Sequence, residues 1–411
     1  MIGRLTKRFY CLCSKKLRMR EHYLQWPSFL IRLTYAKLTK FAQMMGVYFH
    51  IPFCRHACHY CDFHFSTKLD AQEDLVVAML KEMALRKEEF VQHEISTIYF
   101  GGGTPSLLTE SQLGRMLESL GEGMSSAKEI TLEANPEDLT PEYLRMLQRL
   151  GINRLSIGVQ SFYNEHLEYM NRKHTGAQAE AAIKRAQDAG ITNITADLIF
   201  GIPIATFSQW QSNVEQLLQL EIPHFSAYAL TIEEKTVFGA RQKKGMLEPQ
   251  KDEEVEKSFL YLHETAKLLG YEHYELSNYA KPGFRSVHNG NYWKGISYVG
   301  FGPSAHSFSE GKRRWNISNN AQYIRLIELK KEFFEVEELT EVDCSNERIM
   351  VGLRTCEGIE WKDFPDDWRK ENERNFFKYV EGGNAEMNEV GFRLTPKGWL
   401  ISDHIISTLF I

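Results

Sequence analysis

The chain has 411 residues, 43% of them hydrophobic and 25% charged, which is the make-up of a soluble globular protein too long for one ordinary core. Its formal net charge of −5 offers no general attraction to nucleic acid. No stretch approaches the run of about 18 apolar residues that a membrane-spanning helix needs.

The charge is uneven along the chain. Residues 1–43 carry ten Lys or Arg against one acidic residue, Glu21, so this segment is about +9 and the remainder about −14. It lacks the continuous apolar stretch of a secretory signal. Three readings compete: a basic arm for a membrane surface, an organelle transit segment, or translated sequence upstream of the true start. Met44-Met45 stands directly before the first strand-like run and the segment shows neither periodicity nor caps. Residues 1–45 are therefore read as a basic extension outside the natural protein, which leaves Cys11 and Cys13 without a role. Seven cysteines, an odd number at uneven spacing, argue against a secreted disulfide scaffold and for a reducing cytoplasm.

From residue 46 the pattern becomes regular. Short β-rich runs at 46–51, 96–100, 129–134, 154–159, 194–200 and 224–230 alternate with helical spacing at 70–90, 109–121, 141–150, 176–189 and 207–220. Six alternations call for parallel strands joined by right-handed crossovers. Unusual residues follow the strands: a cysteine loop after the first, Gly101-Gly102-Gly103-Thr104-Pro105 after the second, Glu133 at the end of the third, Gln160 at the end of the fourth and Asp197 in the fifth. Chemistry collected at several strand ends is the habit of a (β/α) barrel, whereas an open sheet focuses it at one switch point. The expected fold is an incomplete (β/α)6 barrel over residues 46–310. A smaller, mainly helical unit is expected over 311–411, where the alternation stops.

Cys54-x3-Cys58-x2-Cys61 is the strongest local signal. Three thiolates on a flexible loop suit a four-iron four-sulfur cluster with one iron left open to a small chelating molecule. The alternative is structural zinc, with His56, His59 or His64 as fourth ligand. Zinc sites more often pair Cys-x2-Cys with a distant second pair, which this chain lacks. Cys344 and Cys356 read as ordinary buried thiols.

The run Tyr48-Phe49-His50-Ile51-Pro52-Phe53-Cys54, continuing through Cys58, Tyr60, Cys61, Asp62 and Phe63, resembles the cluster loop of the radical S-adenosylmethionine (SAM) superfamily. More narrowly, it is similar to the group that contains oxygen-independent coproporphyrinogen III dehydrogenase (HemN) and the haem chaperone HemW. The resemblance runs from about residue 46 to the C-terminus, including its ending at Arg393-Leu394-Thr395-Pro396-Lys397-Gly398. It implies a 4Fe-4S cluster on Cys54, Cys58 and Cys61. It also implies SAM held by Tyr48, Gly102, Gly103, Thr104, Glu133, Gln160, Arg172 and Asp197. Taken singly, a glycine run is often a tight turn and a charged residue a solvated one.

Two features divide the group. The dehydrogenases carry a fourth cysteine two positions after the third, and here that position is Phe63. His288-Asn289-Gly290-Asn291-Tyr292-Trp293 resembles the HNxxYW motif of the chaperones, after Tyr274-Glu275-Leu276-Ser277-Asn278, also typical of them. The resemblance implies haem contact through His288, Tyr292 and Trp293. The residues alone favour a plainer reading, a hydrogen-bonded histidine beside core aromatics. His306 is expected to line the same cavity. On this resemblance the chain carries haem to apo-haemoproteins, respiratory ones in particular. It also implies a cytoplasmic homodimer that touches membrane lipid through a basic face, with no catalytic residue assigned. The alternative is the oxygen-independent coproporphyrinogen oxidase reaction.

Overall fold

The computed structural model describes residues 44–411, so the expectations for the basic segment 1–43 lie outside the described residues. Six parallel strands stand side by side in chain order: β1 (Met44–Ile51), β2 (Glu94–Gly102), β3 (Glu129–Ala134), β4 (Arg154–Gln160), β5 (Asn193–Phe200) and β6 (His224–Ala229). The crossovers carry α1 (Gln72–Leu85), α2 (Glu110–Glu118), α3 (Pro141–Arg149), α4 (Gly176–Asp188) and α5 (Phe207–Gln219). Helices α2 to α5 start where a threonine can cap them. The hydroxyls of Thr109, Thr140, Thr175 and Thr206 each accept from the backbone N–H three residues on.

Each central strand buries two faces of opposite character. In β2, Ile98 and Phe100 point to the helices while Thr97 and Tyr99 point inward. In β3, Ile130 and Leu132 alternate with Glu129, Thr131 and Glu133; in β4, Leu155 and Ile157 alternate with Arg154 and Ser156. The apolar core therefore lies between sheet and helices, and the polar groups collect inside the curve of the sheet.

The sheet does not close on itself. Its order is β12-β11-β10-β9-β1-β2-β3-β4-β5-β6-β8-β7, with β7 and β12 as its two ends. At one edge β8 (Asn278–Ala280) runs antiparallel to β6, with β7 (Glu272–Glu275) beyond it. At the other, β9 (Tyr298–Phe301) joins β1 in parallel, followed by antiparallel β10 (His306–Ser309), β11 (Lys312–Asn316) and β12 (Phe334–Glu338). The boundary drawn at residue 310 is corrected here: the sheet continues to Glu338. Antiparallel neighbours need no crossover helix, and β9, β10 and β11 follow one another without one, so the regular strand–helix alternation is lost there.

From Glu341 the chain forms a separate unit. Helices Glu341–Gly352, Glu373–Glu381 and Ser402–Leu409 are its longer ones, beside a three-stranded sheet of Ile359–Glu360, Ala385–Met387 and Gly391–Leu394. It joins the β7 edge by backbone pairing: Leu276 N donates to Arg354 O at 2.9 Å and Cys356 N to Tyr274 O at 3.0 Å. The sequence motif 274–278 is thus the seam between the two units.

A buried charge network pins the β9–β11 edge to α1. Glu82, fully buried, pairs with Arg86 at 2.8 Å and accepts from Asn316, from Gly302 N and from the Tyr323 hydroxyl. Arg86 also donates to the carbonyl of Gly300 at 2.7 Å. Removing one member of such a set strands the other in a low dielectric. Glu82→Ala is expected to cost about 3–5 kcal/mol, read as a lower urea midpoint.

Candidate functional site

The cysteine loop is a noose tied at its neck. Cys54 N donates to Ser66 O at 3.0 Å and Ser66 N to Pro52 O at 2.8 Å. Its far side is fastened to the barrel by His59 N to Met170 O, by Phe238 N to His59 O and by Asn171 Nδ2 to Ala57 O. Cys54, Cys58 and Cys61 are each half-buried, and all three line one cavity of about 930 Å³. That is near the top of the range of about 300–1,000 Å³ usual for sites that enclose small molecules and cofactors.

Two donors face the sulfurs. The Thr104 hydroxyl lies 3.4 Å from Cys54 Sγ and Arg172 Nη1 3.6 Å from Cys58 Sγ. Burial pushes the Cys54 thiol up to about 11, with Thr104 pulling the other way. A metal centre that takes the proton overcomes this. Of the three histidines offered for zinc, His56 lines the cavity with the cysteines, while the other two are engaged elsewhere. His59 Nδ1 meets Tyr169 O at 2.9 Å and His64 Nε2 meets Asn320 Oδ1 at 2.7 Å. Among the described residues no three His, Cys, Asp or Glu side chains are grouped to hold one metal ion. Thiolates that each bind a different iron of a cluster stand farther apart than ligands around one ion.

The glycine run brings backbone against the loop. Gly103 N donates to Ile51 O at 2.8 Å, and a Cβ on Gly103 would lie 2.6 Å from the Phe53 carbonyl, so no other residue fits without moving the loop neck. Gly102, at φ +112°, gives its N–H to Glu133 Oε2 at 3.1 Å, and Tyr99 donates to Oε1 at 2.8 Å. Gln160 ends β4 in the left-handed region at φ 67°, after a register shift in the strand. Arg172 is held by Asn135 Oδ1 at 2.7 Å and Gly158 O at 2.8 Å. Asp197 accepts from Ser156 at 3.4 Å through one oxygen, while its buried Oδ1 has no hydrogen-bond partner.

Gly102, Gly103, Thr104, Glu133, Gln160, Arg172 and Asp197 line the cavity together with the three cysteines. Tyr48 does not reach its wall. It sits one layer below, its hydroxyl 3.1 Å from His50 Nδ1 and its ring 6.1 Å from that of Tyr99. This set fits a cluster and a cationic, hydroxyl-bearing chelator: thiols with donors aimed at them, two carboxylates, and an unpartnered carboxylate oxygen.

The residues of the 288–293 motif lie elsewhere. His288 is 2% exposed and does not line the cavity. Both ring nitrogens are engaged, Nδ1 with Thr97 Oγ1 at 2.8 Å and Nε2 with the Tyr292 hydroxyl at 3.0 Å. Burial pushes the imidazole down to about 3. Its ring stacks 4.9 Å from Tyr99, the residue that holds Glu133. The helix bearing it, Val287–Trp293, is received by Glu129, which accepts from the N–H groups of Val287 and His288 at 2.9 Å each. The plainer reading of this histidine describes the structure, with Tyr292 and Trp293 half-buried beside it. His306, in β10, is likewise absent from the cavity wall, its ring 6.3 Å from Trp315.

Sequence reasoning missed the far wall. Met350, Arg354, Trp399, Leu400, Ile401, Ile406 and Phe410 of the C-terminal unit line the same cavity, interspersed with Ser402, Asp403, His404 and Ser407. The apolar stripe of the last helix carries a signal, but nothing in it distinguishes a cavity wall from a core face.

A radical SAM superfamily model matches residues 48–217. The haem chaperone HemW of Lactococcus lactis subsp. lactis is 36% identical over 316 residues, covering 76% of this chain and 82% of that protein. HemW of Bacillus subtilis is 33% identical over 371 residues, covering 88% and 98%. Among solved structures, the coproporphyrinogen III oxidase HemN of Escherichia coli superposes with a TM-score of 0.77 at 22% identity, covering 96% of this chain and 98% of its own, which establishes the shared fold. A radical SAM domain implies a 4Fe-4S cluster and SAM.

Burial, followed by repulsion from Glu133, pushes Asp197 up to about 6. Burial also raises Glu133 above the usual carboxylate range. A cationic ligand favours the ionised form. SAM affinity of the cluster-loaded protein is therefore expected to rise with pH through about 6 and to level off above. Asp197→Asn should flatten that rise in equilibrium titrations.

Proposed function

The chain belongs to the HemW family of radical SAM proteins, and from that premise we propose that it binds haem and hands it to apo-haemoproteins. Cys54, Cys58 and Cys61 hold the cluster in this reading, and Gly102, Gly103, Thr104, Glu133, Gln160, Arg172 and Asp197 hold SAM. When bound, the two supply one-electron chemistry at the sulfonium. The chain's own residues do the rest: Glu133 and Asp197 draw the cation in, Arg172 steadies the loop beside Cys58, and the apolar wall excludes water.

The observation that carries the reading is the two-sided cavity. One side presents thiols and polar strand ends, and the C-terminal unit contributes the apolar Met350, Trp399, Leu400, Ile401, Ile406 and Phe410, around a volume of about 930 Å³. Phe63, where a dehydrogenase has its fourth cysteine, lines the cavity as an apolar ring and favours holding a porphyrin over oxidising it. We place haem against the apolar wall. In this conformation His288 would have to abandon two hydrogen bonds to reach haem iron, so we assign the 288–293 motif the role of bracing Tyr99 and, through it, Glu133.

No helix among the described residues is long and apolar enough to cross a membrane. Respiratory haemoproteins are the clients we propose.

Anaerobic reconstitution with iron and sulfide analysis, then haem titration and a coproporphyrinogen turnover assay on the same samples, tests the proposal. The expected result is a cluster of four irons, stoichiometric haem and no protoporphyrinogen. SAM-dependent turnover without stable haem binding would restore the dehydrogenase. In His288→Ala we expect lower haem occupancy with an unchanged haem absorption spectrum; a changed spectrum would make His288 an axial ligand.

A further inference from the structure

The apolar wall of the cavity contains one strongly basic side chain, and its hydrogen bonding is incomplete. Arg354 follows the helix Glu341–Gly352 at the seam between the two units, and its side chain is 8% exposed. It lines the cavity with Met350, Trp399 and Ile406. Nη2 pairs with Asp403 Oδ1 at 2.7 Å, while the buried Nε and Nη1 have no hydrogen-bond partner.

A guanidinium is a rigid fork of five donors, and burying two nitrogens unmatched is costly unless something arrives to accept from them. The other arginine and lysine side chains on the wall have partners. Arg172 is fixed by Asn135 and Gly158, Arg55 by Asp138, and Lys173 by Asn171. Two acidic groups stand by Arg354: Asp403, whose side chain is 59% exposed, and buried Glu275, close enough to feel its charge. Neither takes Nε or Nη1.

We propose that Arg354 is a carboxylate anchor, gripping one acidic side arm of a flat apolar ligand whose body lies against the C-terminal wall. This rests on the haem reading, because haem is such a molecule, an apolar macrocycle with two propionate arms. A bidentate guanidinium–carboxylate pair fixes the orientation of the ring as well as holding it. The pair with Asp403 is the resting arrangement, and the ligand carboxylate takes the inner nitrogens.

The test compares haem with haem dimethyl ester, which keeps the ring and masks both carboxylates, titrated into the full-length protein with cluster and SAM loaded. Wild type is expected to prefer the diacid by about tenfold or more. Arg354→Gln should erase that preference, and Arg354→Lys should keep part of it. Asp403→Asn frees Nη2 and should preserve or widen the preference. If Arg354 serves only to pair with Asp403, Asp403→Asn loses stability and the preference for the diacid survives Arg354→Gln unchanged.

Equal wild-type affinity for acid and ester would overturn the anchor while leaving the haem reading intact. Failure of both forms to bind would overturn the haem reading and the anchor with it. Circular dichroism and SAM binding check that Arg354→Gln is folded. Should it not fold, the ester comparison on wild type, Arg354→Lys and Asp403→Asn still decides the matter.

Discussion

A parallel sheet that stops short of closing has an inner face that must be dealt with. In this protein the inward positions are polar from the first layer to the last, with Thr97, Glu129, Arg154 and His224 at the bottom and Glu133 and Asp197 near the top. Buried polar groups are tolerable only when they find partners. The bottom layer finds most of its partners in itself and in one inserted helix, although Arg154 Nε and the Thr131 hydroxyl are left without a hydrogen-bond partner. Glu129 receives the N-terminus of Val287–Trp293, His288 bonds to Thr97, and His224 bonds to both Thr195 and Tyr274. The top layer is left incompletely satisfied, and that is where the cavity is.

This division accounts for the electrostatics of the site. Burial raises both Glu133 and Asp197 above their ordinary values, and the Glu133 charge raises Asp197 further. A cation bound beside them favours the ionised form of both. The layer beneath sets their positions: Tyr99 fixes Glu133 from below and is itself held between Tyr48 and His288.

What could be read from the sequence follows the same physics. The six central strands and five crossover helices were legible because apolar residues recur with period two and then with helical spacing, and threonine caps mark four of the helix starts. The thiol loop and the strand-end residues were legible because Cys, Gly, Glu and Asp at those points have no packing rationale. The edge strands were not. Strands such as 306–309 and 334–338 are short and pair antiparallel with neighbours nearby in sequence, and their edge is attached to the barrel through β9, whose partner β1 lies far earlier in the chain. Nor was the location of His288. A motif gives residue types and spacing, whereas its place in the barrel floor depends on Glu129 and Thr97, which lie far away in sequence. Arg354 was missed for the same reason, since an arginine beyond a helix end looks like surface until its surroundings are known.

The cavity's two walls come from opposite ends of the described chain. Thiol loop, glycine run and strand-end carboxylates all precede residue 200, while the apolar wall is drawn mostly from beyond residue 350. On a ribosome, where domains fold as they emerge, the cofactor side is complete many residues before the side that encloses it. The order of synthesis thus leaves a period in which the thiols face an open vestibule, accessible to whatever delivers iron and sulfide. The last helix, Ser402–Leu409, then adds its residues to the cavity wall. A centre installed late must enter past the finished wall, so the timing of translation bears on how the protein is loaded as well as on how it folds.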